Sequence, residues 1–276
     1  MITRFAPSPT GRLHLGHVFS ALTVWQTAKD LGGVSLLRIE DTDSTRSRAE
    51  FEESIYEDLA WLGLTWPTPV RRQSDHYADY EGVLTELADR GLLYPCSCNR
   101  RAIQAAGAKQ GSDGYIYPGT CRHRTMSDVE PGDALRLNIA KAFETLPDTL
   151  SYTDNGKTVQ FDAAHVLKTL GDPVLKRKET GDPAYHLACT HDDALQEITY
   201  VVRGKDISAQ TPLHVLLQSL MGWPTPAYVH HDLVTGSDGN RLAKITNSQS
   251  VATYREAGHS AEEVIRLAGW PPPSGP

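Results

Sequence analysis

No stretch of this sequence is apolar for long enough to span a membrane, and no charged segment followed by a hydrophobic run stands at Met1. A spanning helix and a secretory leader are therefore not expected, and a cytosolic protein is. Cysteine is scarce. Four in 276 residues, two of them in Cys96-Ser97-Cys98, suit a reducing compartment and a metal better than a disulfide framework. Positive charge is short as well: 27 Lys and Arg stand against 34 Asp and Glu, a net charge of −7. That balance argues against indiscriminate nucleic-acid binding, although a local basic strip can still hold phosphates on an acidic protein. Arg100, Arg101, Lys109, Arg122, His123 and Arg124 form one such cluster, which charge alone reads equally well as a solvated surface. Internal repeats are missing, and low complexity is confined to the proline-rich residues 271–276. What remains, 39% hydrophobic and 22% charged, is ordinary globular composition. The length suits one α/β domain with a sizeable insertion, or two small domains.

The chain is organised around Arg4 to His17, RFAPSPTGRLHLGH. Thr3 to Ala6 can be a short strand, and Pro7-Ser8-Pro9-Thr10-Gly11 breaks it with turn formers. From His17, apolar residues recur at Val18, Ala21, Leu22, Trp25 and Ala28, the spacing of one helix face. His14-Leu15-Gly16-His17 thus sits at a helix mouth, where free N–H groups and the positive end of the macrodipole suit a phosphate. Gly16 has no side chain to hold a base or phosphate away from the backbone. Each imidazole could donate to a phosphate oxygen that gains charge during displacement.

Val34 to Ile39 reads as a buried strand, and Glu40, at its carboxyl end, is placed to face an ammonium group. Asp41 and Asp43 read as caps for the next helix. Ser47 and Glu50 form a capping box for it, with Phe51, Ile55, Leu59 and Leu62 inward and Gly63 closing it. A further helix is expected from about Asp75 to Arg90, with Tyr80, Leu84 and Leu87 inward. From Cys96 to about Asp182 the pattern turns mixed, with one clear strand at 134–138. Strand and helix patterns resume at Tyr185: a strand at Ile198 to Val202, a Thr211-Pro212 cap and helix to Met221, and a strand at Tyr228 to Val234. Cys189 is expected in a core strand, as packing. The fold class that follows is α/β, one parallel sheet with a region inserted midway. The expected division is 1–94 for the first half of the catalytic domain, 95–183 for the insertion, 184–235 for the second half, and 236–276 for a loop, a helix and a tail.

Two further groups carry chemistry. Arg4 and Arg203 each end an apparent strand and can converge above one sheet edge, where a pair of guanidinium groups suits a dicarboxylate. Cys96, Cys98 and Cys121 can supply three thiolates to one Zn²⁺. For the fourth ligand His123 is the conventional residue and Tyr117 the alternative.

RFAPSPTGRLHLGH resembles the "HIGH" signature of class I aminoacyl-tRNA synthetases, the glutamyl branch in particular. Arg241-Leu242-Ala243-Lys244-Ile245 resembles that family's mobile "KMSKS" loop, with Ala243 in place of a serine and Ile245 in place of a basic or polar residue. Residues 184–207 are similar to the family's glutamate-binding stretch. The resemblance implies a Rossmann-type catalytic domain with an inserted zinc-containing α+β region. It implies His14, His17 and Lys244 as catalytic, and His14, Gly16, His17, Arg241, Leu242 and Lys244 as ATP-binding. Glutamate would be met by Arg4, Phe5, Ala6, Pro7, Ser8, Glu40, Tyr185 and Arg203. The spacing Cys-x-Cys…Tyr-x-x-x-Cys is similar to the zinc site of the branch that esterifies queuosine, which selects Cys96, Cys98, Tyr117 and Cys121. By the same resemblance, L-glutamate and ATP, with Mg²⁺, give glutamyl-adenylate, and the acceptor is queuosine in the anticodon of tRNA(Asp). A monomer with no membrane partner is expected. The large anticodon-binding region of glutamyl-tRNA synthetases has no counterpart in residues 246–276. A truncated glutamyl-tRNA synthetase acting on tRNA(Glu), and a non-catalytic RNA-binding relic, are the alternatives.

Overall fold

The computed structural model describes residues 1–111, 114–233 and 249–270. Up to Arg72 the chain forms β1 (Ile2–Phe5), α1 (Leu15–Asp30), β2 (Val34–Ile39), α2 (Ala49–Trp61) and β3 (Arg71–Arg72). As far as Glu197 there follow α3 (Tyr77–Asp89), β4 (Leu93–Cys96), α4 (Arg100–Ala105), β5 (Gln110–Gly111), β6 (Gly114–Tyr115), β7 (Ala134–Leu137), α5 (Ile139–Phe143), β8 (Thr149–Asp154), β9 (Lys157–Asp162), α6 (Ala163–Thr169), β10 (Val174–Lys176) and α7 (Tyr185–Leu195). The chain continues with β11 (Tyr200–Gly204), α8 (Thr211–Met221), β12 (Ala227–His231), α9 (Val251–Glu256) and α10 (Ala261–Leu267). Packing divides it into two compact units. The first takes Met1–Arg72, Ile198–Ser208 and the chain from Ala227 onward; the second takes Gln73–Glu197 and Ala209–Pro226.

The first unit is the expected parallel α/β arrangement. β1, β2 and β3 lie in that order, with Ile2 opposite Val34 and Ile39 opposite Arg72. β11 and β12 are also parallel and pair Arg203 with His230. The Thr199 N–H donates to the Ile2 carbonyl at 2.9 Å, and the Ile2 N–H donates to Thr199 Oγ1 at 2.9 Å. β1 and β11 therefore start side by side, and their carboxyl ends share one edge. The inward face of α1, at Leu15, Val18, Ala21 and Leu22, packs in one apolar cluster with Leu37, Ile39, Ile55, Leu59 and Val202. Burying that face is what holds a 16-residue helix, since propensity alone does not.

The second unit is antiparallel where the first is parallel. β7 lies between β4 and β10, and β8 and β9 form a hairpin across Asn155-Gly156, both at positive φ.

Several expected details differ. α2 has Arg48 at its N-cap with no side-chain cap bond, and Ser47 Oγ has no hydrogen-bond partner, so the Ser47–Glu50 capping box does not form. Asp43 instead accepts from Thr45 Oγ1 and Arg46 Nε in the preceding turn, and Asp41 pairs with Arg72 at 3.1 Å. Cys189 lies in α7, fully buried, not in a strand. The run Leu187-Ala188-Cys189 reads as a strand because the other buried positions of this helix are polar. Among them, Asp192 accepts from Gln73 and Tyr80. Gln210, not Thr211, precedes the first turn of α8, which Gly222 ends in the left-handed conformation (φ 67°).

Candidate active site

β1 ends at Phe5, and the loop to α1 is clamped by two backbone bonds, Glu40 N to Pro7 O at 3.1 Å and Arg48 N to Pro9 O at 3.0 Å. His14 is the N-cap of α1, so the helix begins at Leu15, two residues earlier than periodicity alone places it. His14 Nδ1 accepts from the Gly16 N–H at 3.1 Å, and His17 Nδ1 accepts from the His14 N–H at 3.2 Å. The two rings stack with centroids 3.8 Å apart. A backbone N–H can only donate, so neither Nδ1 can hold a proton while these bonds last. Both rings are thereby fixed as the Nε2–H tautomer. Burial lowers the His14 pKa. Burial, with His14 adding its repulsion, pushes His17 down to about 3. Two neutral donors result. Gly16 suits this position: a Cβ would lie 3.0 Å from His14 Cε1, so the ring would have to give by a few tenths of an ångström. Ser250 bridges to His14, and the Val251 N–H donates to the Leu13 carbonyl at 2.8 Å, which ties the start of α9 to the same loop. Arg241, Leu242 and Lys244 lie outside the described residues.

The carboxyl edge of the same strands carries buried charge. Arg4 is 4% exposed, Arg203 5% and Glu40 7%. Three such side chains, buried near one edge, need polar partners there. Arg203 Nε donates to His230 Nε2 at 3.1 Å, and its guanidinium lies 5.3 Å from the centre of the Tyr228 ring. Arg38, fully buried, donates to Glu40 Oε1 at 2.9 Å. Phe5 and Pro7 are buried, Ala6 is half-buried and Ser8 is exposed. Tyr185 belongs to the second unit, at the first turn of α7, where it is half-buried with its ring edge-on to His186 and His214. Arg38 and His230 are absent from the sequence reading. His230 has a signal in hindsight: with Tyr228 it occupies the buried alternation of β12.

In the second unit Cys96, Cys98 and Cys121 bring their Sγ atoms within 4.8 Å of one another. Cys98 and Cys121 sulfurs are 3.5 Å apart, and Tyr117 Oη lies 3.4 Å from Cys96 Sγ and 3.7 Å from Cys98 Sγ. A tetrahedral zinc with ordinary Zn–S bonds holds its ligand atoms about 3.5–3.8 Å apart, so the four groups fit that ion. His123 is exposed and does not join the cluster. Burial raises the Cys121 thiol, but hydrogen bonds from Tyr117 and Cys98 outweigh it and hold the group down at about 7, close to a thiolate at neutral pH. Behind the cluster, the Arg136 guanidinium lies 3.8 Å over the Tyr117 ring. Asp172, fully buried, accepts from Tyr94 Oη and Arg122 Nε at 2.6 Å each and from the Ile139 N–H at 3.0 Å. It links strand β4, the turn after Cys121, and α5.

A parallel sheet, a histidine-capped crossover helix and buried cations near the carboxyl edge are the features expected of a class I synthetase catalytic domain. Residues 1–275 match the family described as tRNA synthetases class I (E and Q), catalytic domain, and the chain belongs to it. Among individual relatives, it is 43% identical to a Glutamyl-Q tRNA(Asp) synthetase from Rhodobacter capsulatus, over 98% of this chain and 100% of that one. It is 36% identical to a glutamate–tRNA ligase from Aquifex aeolicus, over 98% of this chain but 58% of that one. Among solved structures, a glutamate-tRNA synthetase from Elizabethkingia anophelis superposes with a TM-score of 0.75 at 29% identity, covering 99% of this chain and 62% of that one.

Proposed function

We propose that this chain activates L-glutamate with ATP and transfers it to queuosine in the anticodon of tRNA(Asp). The observation that carries the activation step is the pair of neutral Nε2–H donors at the start of α1, beside an edge bearing Arg4, Arg203 and Glu40. The acceptor is supported by the relatives of that name at 38–43% identity.

In this reading Arg4 and Arg203 hold the carboxylates of glutamate, Glu40 its ammonium, and residues 5–8 line the site. ATP, taken with Mg²⁺, lies over Gly16. His14 and His17 donate to its phosphates, joined by Arg241, Leu242 and Lys244. A glutamate carboxylate oxygen forms a bond to the α-phosphorus as the bond to pyrophosphate breaks. The acceptor hydroxyl then forms the ester at the carbonyl carbon while AMP leaves, and the hydroxyl proton passes to the departing phosphate. No side-chain nucleophile takes part; alignment and charge stabilisation carry both steps. Cys96, Cys98, Cys121 and Tyr117 would hold zinc, which supplies a cross-link for the second unit. The protein works as a monomer in the cytosol.

The test is transfer of labelled glutamate to tRNA(Asp) with and without queuosine, with the label mapped to anticodon or 3′ end. Label at the anticodon, only on queuosine-bearing RNA, is the expected result. Label at the 3′ end of tRNA(Glu), with pyrophosphate exchange strictly dependent on tRNA, would replace this reading with that of a glutamate–tRNA ligase. That second reading is favoured by the 36% identity to the Aquifex enzyme.

A further inference from the structure

Asp58, on α2 of the first unit, is fully buried, and the activation step as assigned makes no use of it. Its neighbours Ile55, Leu59 and Leu62 all belong to the apolar cluster under α1. Asp58 Oδ2 accepts from Ser54 Oγ at 3.4 Å. Oδ1 makes no hydrogen bond and lies 3.7 Å from Arg255 Nη2 of α9. Arg255 pairs more closely with the exposed Glu57, at 2.8 Å. Arg12, exposed in the loop two residues before His14, adds its attraction. Burial, with Glu57 adding its repulsion, raises the Asp58 carboxyl to about 6 against the pull of Arg255, Ser54 and Arg12.

A buried carboxylate with one oxygen lacking a hydrogen bond is a poor way to stabilise a helix. Asparagine would fill the same volume uncharged, and Arg255 would keep Glu57. What the charge adds is a pull on two segments at once, and both lead to the same place. Arg12 is followed directly by Leu13 and His14. Arg255 stands on α9, whose first residue, Val251, donates to the Leu13 carbonyl at 2.8 Å, and whose N-cap, Ser250, bridges to His14. We propose that Asp58 is a positioning residue for the activation step, its carboxylate drawing α9 and the loop at Arg12 together so that the Leu13–Val251 bond holds His14 at the start of α1. It acts through Arg255 and Arg12, not on glutamate or ATP. Its effect on rate rests on the proposed function; the clamp between the two segments does not.

The experiment compares wild type, Asp58→Asn, Arg12→Gln and the double variant. Arg12 is exposed, so its variant keeps the test decisive if Asp58→Asn folds poorly. Amide hydrogen exchange at Val251 reads the clamp. Glutamate-dependent ATP–pyrophosphate exchange between pH 5 and 8 reads the chemistry, and thermal melting at pH 7 reads the fold. In Asp58→Asn, Val251 should exchange about tenfold faster and kcat should fall about tenfold, with KM for glutamate within about twofold and Tm held or raised. Wild-type kcat should fall by the same factor as the pH drops through about 6, an acid limb that Asp58→Asn lacks. His14 and His17 are present in both proteins, so that difference belongs to Asp58. Arg12→Gln should act in the same direction and add nothing in the Asp58→Asn background. Val251 protection and kcat within about twofold of wild type in both single variants overturn the proposal, as do an additive cycle or an acid limb that survives in Asp58→Asn. So does a lower Tm with kcat and KM lost together, which marks a structural residue only. Wild type without any glutamate-dependent exchange overturns the function instead; the clamp then stands if Asp58→Asn loses Val251 protection, and falls if it does not.

Discussion

At the scale of single residues, the first unit gathers guanidinium groups that burial alone would not tolerate. Arg203, 5% exposed and held by His230, is a preset donor. Arg203→Ala should reduce kcat/KM for glutamate by about 2–3 kcal/mol, roughly 30- to 150-fold, while the Kd for ATP changes little. Isothermal titration with each ligand separates the two, and an equal loss for ATP would remove Arg203 from the amino-acid site. His17 gives a pH prediction. Its folded-state pKa of about 3 lies below the ordinary 6.5, so on acidification the unfolded chain takes up a proton that the folded chain refuses. Stability should be fully present above pH 6.5, fall as the pH drops below that value, and level off near pH 3. Urea unfolding at several pH values checks this, and His17→Asn should flatten the acid slope.

The residue scale is also where sequence reading falls short. Arg4, Glu40 and Arg203 are nameable because each ends a strand pattern, and that holds in the fold. Their partners Arg38 and His230 are not nameable. They are ordinary polar letters on β2 and β12, and only the pairing of distant segments makes them supports.

At the scale of elements, the turn carrying Cys121 is held by side chains from two other segments: Arg136 of β7 lies over its Tyr117 ring, and Asp172 accepts from its Arg122. Cys98→Ser should lower bound zinc from about one per chain toward none and speed proteolysis of the second unit. Elemental analysis and limited digestion read the two effects, and unchanged metal content would dismiss the site. Elements with clean apolar periodicity, β2 and α3 among them, were readable to within a residue or two. α7 was not, because carboxylates and a threonine occupy its inward face alongside a leucine, and hydrophobic spacing cannot report a face that buries Asp192. α2 misled in the opposite way: Ser47 and Glu50 have the capping spacing, but Asp43 folds the turn before it and shifts the helix start.

At the scale of the molecule, the interruption of a parallel sheet by a mixed region was legible from the return of strand–helix alternation after residue 184. Its packing was not. The second unit also takes Ala209–Pro226, a segment that sequence order assigns to the resumed sheet, because no local pattern reveals which neighbour a helix will cover. With a net charge of −7, RNA binding must depend on a few local cations against a repulsive background. Raising salt from about 50 to about 200 mM should therefore raise the KM for RNA about tenfold or more. Pyrophosphate exchange without RNA should move about twofold or less, and a parallel loss of both would indicate general destabilisation.

The doubly hydrogen-bonded imidazoles of α1 have one more consequence. Each ring is a rigid spacer with an acceptor facing the helix and a donor facing away, so no amide can substitute for it whole. Asparagine reproduces the inner end and should keep the helix start while losing the outward Nε2–H donor. Glutamine reaches outward but leaves the amino terminus uncapped. A replacement at either position would have to serve both ends with a single flat side chain.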